Sequence, residues 1–322
     1  LFVDWLDLVV RTRTEEAPDI ASFELVRADG GELPLFEAGA HVDVEVAEGL
    51  LRQYSLCNAP RERHRYLLAV LHTFDSRGGS RGLHEQLAAG QPLRVGLPRN
   101  HFPLHPGTTR SVLLAGGIGV TPLLAMAEAL CERGNEFALH YCTRSAGRTA
   151  FAGRLAGAPF AASVHLHHDD GPPSQRFDAA AALGAPDAST HVYVCGPSGF
   201  MTHVLQTAHE LGWPEARLHR EYFSPPAAEP DTLEKEFDVE IASTGQVIRV
   251  PAKCSVAKAL AEHGVLINMS CEQGICGTCV TTVLAGDPEH RDSYLTEGDR
   301  ARNDCFTPCC SRAKSKLLVL DL

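Results

Sequence analysis

The strongest chemical signal in this chain is a cysteine spacing near its C-terminal end. Cys271-x4-Cys276-x2-Cys279 is followed, after twenty-nine intervening residues, by Cys309. That is the ligand spacing of a plant-type [2Fe-2S] cluster. The first three thiols lie in Ser270-Cys271-Glu272-Gln273-Gly274-Ile275-Cys276-Gly277-Thr278-Cys279, where two glycines let the backbone curl and aim amides at sulfur. A free cysteine is more often a small buried hydrophobe, and C-x2-C alone points to zinc or a redox dithiol. Neither accounts for the four-residue gap or the distant fourth thiol. Cys305, Cys309 and Cys310 crowd the segment that must supply it; the distance from loop to strand suits Cys309 best, with Cys310 the competing neighbour.

Two further groups of residues could handle phosphates and redox cofactors. In Arg52-Gln53-Tyr54-Ser55-Leu56-Cys57-Asn58, an arginine can pair with a phosphate in bidentate fashion. Beside it a tyrosine offers a ring, and a serine offers a hydroxyl able to hydrogen-bond a redox-active nitrogen. An edge strand with a surface arginine is the ordinary alternative. Arg77-Gly78-Gly79-Ser80 precedes a helical stretch, so its amides and the positive helix end can bind a phosphate. The same residues spell G-x-S-x-G from Gly78 to Gly82, the nucleophile elbow of serine hydrolases. An elbow needs a parallel strand before it, and these residues sit among barrel-like strands. Gly116-Gly117-Ile118-Gly119-Val120-Thr121-Pro122 follows a strand and opens a helix, which allows close approach to a pyrophosphate. Pro122 stands where the last glycine of G-x-G-x-x-G would be, so the turn alone is a weak signal. Cys195-Gly196-Pro197 follows another strand, where Cys195 by itself reads as a core residue.

The elements that must position these groups fall into three textures. From Leu6 to Pro98 the chain shows short alternating strands: Ser22–Val26, His41–Val46, Tyr66–Leu71 and Leu93–Leu97, with one helix, Arg81–Ala89, capped by Ser80 and ended by Gly90. This predicts a small antiparallel barrel. After His105-Pro106-Gly107, apolar strands at Val112–Ala115, Phe137–Cys142, Val164–His167 and Val192–Cys195 alternate with helical stretches, which predicts a parallel sheet. The mostly apolar run from Ser111 to Leu130 imitates a membrane span, but its glycines and Thr121-Pro122 split it into strand, loop and helix start. Ser224-Pro225-Pro226-Ala227-Ala228-Glu229-Pro230 reads as a stiff linker. Beyond it come a hairpin around Thr244-Gly245, a helix from Ser255 to His263, and the cysteine loop.

Composition sets outer bounds. The 322 residues exceed one ordinary core and should split into two or three domains. A net charge of −11 disfavours nucleic acid as a partner and is compatible with docking on a basic surface. Eleven cysteines, an odd number, fit a reducing compartment, so a cytoplasmic location is expected. No signal peptide or membrane span is visible. The start at Leu1, without methionine, suggests a trimmed protein or a piece of a longer polypeptide.

The R-x-Y-S pattern resembles that of flavin-binding barrels of the ferredoxin reductase superfamily, and GGxGxTP with Cys195-Gly196-Pro197 resembles its nicotinamide half. In the order barrel, nicotinamide domain, ferredoxin domain, nearly the whole chain resembles the phthalate dioxygenase reductase family. That family includes vanillate demethylase reductases and the reductase portion of self-sufficient cytochromes P450. Tyr54–Asn58, Leu97-Pro98-Arg99-Asn100 with Phe102-Pro103, His167-His168-Asp169 with Gly171, His290-Arg291-Asp292, and Ser311–Ser315 with Leu318–Leu322 share in the likeness.

The resemblance implies a multidomain chain: an antiparallel β-barrel flavin domain over 1–106, an α/β parallel-sheet nicotinamide domain over 107–225, a linker over 226–234, and an α+β ferredoxin (β-grasp) domain over 235–322. It implies FMN, NADH and a [2Fe-2S] cluster. Cys271, Cys276, Cys279 and, by its place before Arg312-Ala313, Cys309 are the implied iron ligands. Arg52, Tyr54, Ser55, Leu56, Gly78, Gly79 and Ser80 are implied at the flavin, and Gly117, Gly119, Thr121, Cys195, Gly196 and Pro197 at the nicotinamide cofactor. Ser55, Cys195 and Phe223, the last covering the flavin face, are implied at the reacting centre. An acidic residue among His167-His168-Asp169-Asp170, with only Arg144 and Arg148 as nearby bases, favours NADH over NADPH; a metal site and plain loop residues are the other readings of this stretch. The expected function is an NADH-dependent oxidoreductase passing electrons through FMN and the cluster to a Rieske-type oxygenase component. A fused P450 haem domain is the second acceptor considered, and a redox carrier or sensor without turnover the other functional class. A monomer is expected.

Overall fold

The structure, a computed structural model, describes residues 5–47, 50–73, 78–224 and 235–322. Arg77 and most of the expected proline linker lie outside the described residues. The chain divides into two compact units, residues 2–223 and 224–322, and the barrel and parallel-sheet segments share the first.

The barrel sheet is built from β1 (Trp5–Ala17), β2 (Ile20–Arg27), β3 (Ala40–Ala47), β4 (Leu50–Ser55), β5 (Tyr66–Leu71), β6 (Pro92–Gly96) and β7 (Arg99–Asn100), in the order β4-β3-β6-β1-β2-β5 with β7 against β3. Every pairing is antiparallel. An isolated bridge between Leu56 and Leu68, with Cys57 N–H donating to Leu67 O at 2.9 Å, ties the end of β4 to β5. That join leaves fewer unpaired edge groups directly beside Ser55. Alternation along β3 is incomplete, because His41 and Asp43 are buried as well as Val42 and Val44. The segment carrying Arg99 covers that outer side, where Arg99 pairs with Asp43. Helix α1 (Gly79–Gln86) starts earlier than Ser80 would dictate. Its N-cap is Gly78, at φ 85°, with no side-chain cap, while the Ser80 hydroxyl accepts from Thr73 N–H at 3.1 Å. The capping role expected of Ser80 is therefore corrected: a glycine in the left-handed region makes the turn instead.

The parallel sheet contains β8 (Arg110–Gly116), β9 (Glu136–Thr143), β10 (Val164–His168), β11 (Thr190–Cys195) and β12 (Leu218–Glu221), in the order β10-β9-β8-β11-β12. The direction of winding reverses between β8 and β11, so their carboxyl ends form the switch point at which such sheets bind ligands. Helices α2 (Val120–Arg133), α3 (Ala152–Ala156), α4 (Ala179–Leu183) and α5 (Ser198–Glu210) lie in its crossovers. Leu113, Ala115, Tyr193 and Cys195 join one continuous core with the barrel and α2, whereas Val112, Leu114, Val192 and Val194 pack with Met201 and Val204 of α5. The apolar run at Ser111–Leu130 is split between β8, a short 3-10 turn and α2. Among the described residues no helix is long and apolar enough to cross a membrane.

The second unit has β13 (Phe237–Ile241), β14 (Gln246–Val250), α6 (Val256–Glu262), β15 (Thr281–Ala285), β16 (Pro288–Glu289), α7 (Glu297–Arg302), β17 (Cys305–Phe306), β18 (Arg312–Ala313) and β19 (Leu317–Leu320). The main sheet runs β14-β13-β19-β15-β17, with β13 and β19 parallel. Phe237, Val239, Ile248, Leu260, Phe306 and Leu318 fill its core. Ser255 caps α6, its hydroxyl accepting from Lys258 N–H at 3.2 Å, and Thr296 with Asp299 forms a reciprocal capping box on α7.

Where the barrel strand β3 meets the segment after β7, Gly39 sits at φ 91° and a Cβ there would lie 1.9 Å from Phe102 O. Replacing Gly39 with Ala is predicted to destabilise the first unit by about 2–4 kcal/mol, combining left-handed strain with a backbone clash. Chemical denaturation of the two proteins measures it, and an unchanged midpoint contradicts the packing described.

Candidate functional site

In the second unit, the loop between α6 and β15 and the turn between β17 and β18 bring the expected thiols together as two pairs. Cys271 and Cys276 hydrogen-bond to each other, and Cys279 Sγ lies 3.3 Å from Cys309 Sγ. Amides point at these sulfurs, with Gln273 N–H 3.4 Å from Cys271 Sγ and Thr278 N–H 3.5 Å from Cys276 Sγ. The Cys271 thiol first, then Thr278, holds Cys276 down to about 5 against the opposing effect of burial. A donor set of two thiol pairs suits two irons with two ligands each. Among the described residues no group of three or more His, Cys, Asp or Glu side chains is gathered around one point as a single-ion site.

Gly274 and Gly277, at φ 71° and 70°, let the loop turn under close cover: a Cβ would lie 2.4 Å from Cys310 Sγ at the first and 2.1 Å from Tyr294 Cζ at the second. Cys310 therefore packs against Gly274, with its Sγ 3.3 Å from Thr307 Oγ1, while its neighbour Cys309 meets Cys279. Cys305 lies on β17, paired to β15.

In the first unit, β4 carries Arg52, Tyr54 and Ser55 toward the start of α1. The Arg52 stem crosses Gly79 so closely that a Cβ there would lie 2.5 Å from Arg52 Cγ. A guanidinium, Gly78 in the left-handed region and the open first turn of α1 thus share one place, a cradle that fits a phosphate. Tyr54 is half-buried against the core. Leu56 is fully buried, its amide donating to Ala40 O at 2.9 Å, so it closes the barrel rather than lining open space. The hydrolase reading of Gly78–Gly82 fails here. The strand before Ser80 is antiparallel, and His84 points to Val70 O at 2.8 Å.

At the switch point the two strand-to-helix turns interlock. A Cβ on Gly119 would lie 2.2 Å from Cys195 O, and one on Gly196 would lie 2.9 Å from Gly116 Cα. Gly117 takes φ 54° with nothing within 4 Å of its Cβ position, so this turn has one open side suited to a pyrophosphate. Thr121 donates its hydroxyl to Ile118 O at 3.0 Å and holds the turn from within. Pro197 caps α5 at the exposed end of the second turn. Phe223 is half-buried against the shared core.

Sequence reasoning passed over Glu221. It ends β12, opposite Cys195 in the parallel register, and the Ser55 hydroxyl donates to its Oε2 at 3.4 Å. Burial pushes its carboxyl up to about 8, against a smaller opposing effect of the Ser55 hydrogen bond. Burial, then Glu221, pushes the Cys195 thiol well above its ordinary range. Ser55, Cys195 and Glu221 thus meet where the barrel joins the parallel sheet, in surroundings that disfavour charge on the thiol and the carboxyl.

Two outcomes follow from this geometry. Cys309→Ser is predicted to lose bound iron and Cys310→Ser to retain it, as read by iron content and electron paramagnetic resonance of the reduced protein; the reverse pattern reassigns the ligand. Glu221 keeps its proton in the folded state between pH 4.5 and about 8 but releases it on unfolding. Stability from this group is therefore present at low pH and lost as pH rises through that window, by up to about 1.4 kcal/mol per pH unit. Urea denaturation from pH 5 to 8 should show a flatter profile for Glu221→Gln than for the parent.

A family profile described as "2Fe-2S iron-sulfur cluster binding domain" matches residues 239–314. The chain is 56% identical over 319 residues to the vanillate O-demethylase oxidoreductase of Pseudomonas putida, covering 98% of this chain and 100% of that protein. It matches the structure of phthalate dioxygenase reductase, described as modular for electron transfer from pyridine nucleotides to [2Fe-2S], with TM-score 0.74 and 38% identity over 99% of this chain and 98% of that one. An intact type IV self-sufficient cytochrome P450 monooxygenase matches with TM-score 0.87 and 38% identity, covering 99% of this chain and 41% of the larger protein. With its thiol pairs on a ferredoxin-type fold behind a barrel and a parallel nucleotide-type sheet, the chain belongs to the phthalate dioxygenase reductase family, the [2Fe-2S] oxidoreductases that serve as reductase components of Rieske oxygenases.

Proposed function

We propose that this reductase takes electrons from NADH by way of FMN and the [2Fe-2S] cluster and delivers them to a Rieske-type oxygenase. The observation that carries the reading is the Ser55–Glu221 contact of 3.4 Å, which joins the flavin-type strand of the barrel to the nicotinamide-type edge of the parallel sheet. When bound, FMN accepts electrons as a hydride and gives them up singly, as a cluster requires.

The residues of the chain supply position and electrostatics. Arg52, Gly78, Gly79 and Ser80 hold the flavin phosphate, the guanidinium and amides neutralising its charge. Tyr54 and Phe223 cover the ring, and the Ser55 hydroxyl orients it. Gly117 and Gly119 receive the pyrophosphate of the nicotinamide cofactor, Thr121 stiffens that turn, and Cys195 with Gly196 and Pro197 borders the nicotinamide. Glu221, its carboxyl pushed toward the protonated form by desolvation, would hold the Ser55 hydroxyl in place. Cys271, Cys276, Cys279 and Cys309 hold the iron. Asp169 and Asp170, exposed past the end of β10, repel a 2'-phosphate, which favours NADH.

The identity to a vanillate O-demethylase oxidoreductase supports an O-demethylating oxygenase as the acceptor, with a haem domain of the P450 type as the second reading, supported by the self-sufficient P450 match. The acid-rich composition, at net −11, suits a basic docking face. Anaerobic titration with NADH and NADPH tests the donor: the expected result is reduction of flavin and cluster by NADH at least about tenfold faster than by NADPH. Cys276→Ser is expected to abolish cytochrome c reduction while leaving flavin reduction by NADH intact. Loss of both activities contradicts this division of labour. Supplying a vanillate-type oxygenase and vanillate, and measuring NADH-dependent formaldehyde, tests the acceptor.

A further inference from the structure

Hydride transfer requires donor and acceptor atoms within about 3–3.5 Å, and an error of about 1 Å can slow it about a hundredfold. In this chain the two partners are held by different parts of the first unit: the flavin by β4, and the nicotinamide by the turn that opens α2. Something must fix the gap between them. Ion pairs at the surface contribute little to such a task, because solvent screens them and their side chains are free to move. Arg148–Asp19 at 3.4 Å and Arg61–Glu132 at 3.7 Å are of that kind, with side chains 35–58% exposed.

Arg154 is different. From α3 its Nη1 donates to the carbonyl of Cys57 at 2.8 Å, and its Nη2 donates to Glu128 Oε1 at 2.9 Å. Cys57 is fully buried, two residues past Ser55, at the point where Cys57 N–H closes the barrel on Leu67. Glu128 lies on α2, the helix begun by the Gly117–Gly119 turn. The guanidinium also sits over the ring of Phe151, 5.9 Å from its centroid, and Phe151 itself takes a left-handed φ of 61° before α3. The Arg154 and Glu128 side chains are 24% and 15% exposed. One planar fork thus grips the backbone that continues from the flavin serine and the helix that carries the nicotinamide turn, with two fixed directions that a lysine could not reproduce.

We propose that Arg154 is a positioning residue that sets the separation between the flavin strand end, Ser55 to Cys57, and the nicotinamide turn, Gly117 to Thr121. The inference rests on the cofactor placements proposed above. Arg154 touches neither cofactor in this account; it acts through the Cys57 carbonyl and Glu128.

Anaerobic stopped-flow reduction of the flavin-loaded full chain by NADH tests it, with Arg154→Ala, Arg154→Lys and Glu128→Gln compared with the parent. For Arg154→Ala the limiting rate should fall about 10- to 100-fold while the Kd for NADH stays within about twofold. The long-wavelength charge-transfer absorbance between nicotinamide and flavin should fade, because it reports ring-to-ring spacing. Arg154→Lys should recover part of the rate, and Glu128→Gln should show a smaller loss of the same kind. Should Arg154→Ala not fold, the other two variants carry the test. Folded variants that retain full flavin, the parental limiting rate and the charge-transfer band overturn the proposal; so does a loss of thermal stability with the band unchanged. If the parent protein, loaded with flavin, shows no reduction by NADH, the cofactor placement fails first and the inference falls with it.

Discussion

Gly119 has no room for a side chain, because the carbonyl of Cys195 occupies the space a Cβ would need. This backbone-on-backbone contact is the constraint on which the switch point of the parallel sheet is built. It presses the turn after β8 onto the turn after β11, and Gly196 against Gly116 repeats the contact one residue away. Because β12 is in register with β11, the same contact determines where Glu221 stands, and hence which carboxyl meets Ser55 from the barrel. The two turns thereby hold their backbone dipoles in fixed directions that need no rearrangement.

Where the barrel meets the parallel sheet, charge is disfavoured. Desolvation favours the neutral form of both the half-buried Glu221 carboxyl and the fully buried Cys195 thiol. In the other unit, amides turn toward sulfur in the loop from Cys271 to Cys279, the kind of contact that favours the thiolate, the form that binds iron. One part of the chain thus encloses a thiol in apolar core, and another aims amide dipoles at thiols.

Much of this organisation was legible in the residues. Strands predicted at Tyr66–Leu71 and Val192–Cys195 lie within β5 and β11, because their apolar patterns and flanking turn residues agree with the sheets that bury them. The Thr244-Gly245 hairpin follows from a glycine free to take φ 69°. Ser80 misled because a cap can be made by backbone alone: Gly78 supplied the turn two positions earlier than a side-chain rule places it. Glu221 was illegible for another reason. It sits in a short strand, among polar neighbours, and its partner Ser55 is 166 residues away, so no local pattern announces its burial. The choice between Cys309 and Cys310 was similarly hidden, since the two lie side by side in one turn with their thiols in contact, and only the fold decides which of them meets Cys279.

The order of strands in the iron-binding unit has a consequence for how the protein is made. In the sheet β14-β13-β19-β15-β17 the central strand, β19, is the last of the five in chain order. Cys271, Cys276 and Cys279 leave the ribosome before the strand that joins the two halves of their sheet exists as a partner. Until β19 inserts between β13 and β15, those thiols belong to a loop without a scaffold, exposed to oxidation and to competing metals. Completion of the iron site is thus tied to the arrival of β19 rather than to synthesis of the cysteine loop itself.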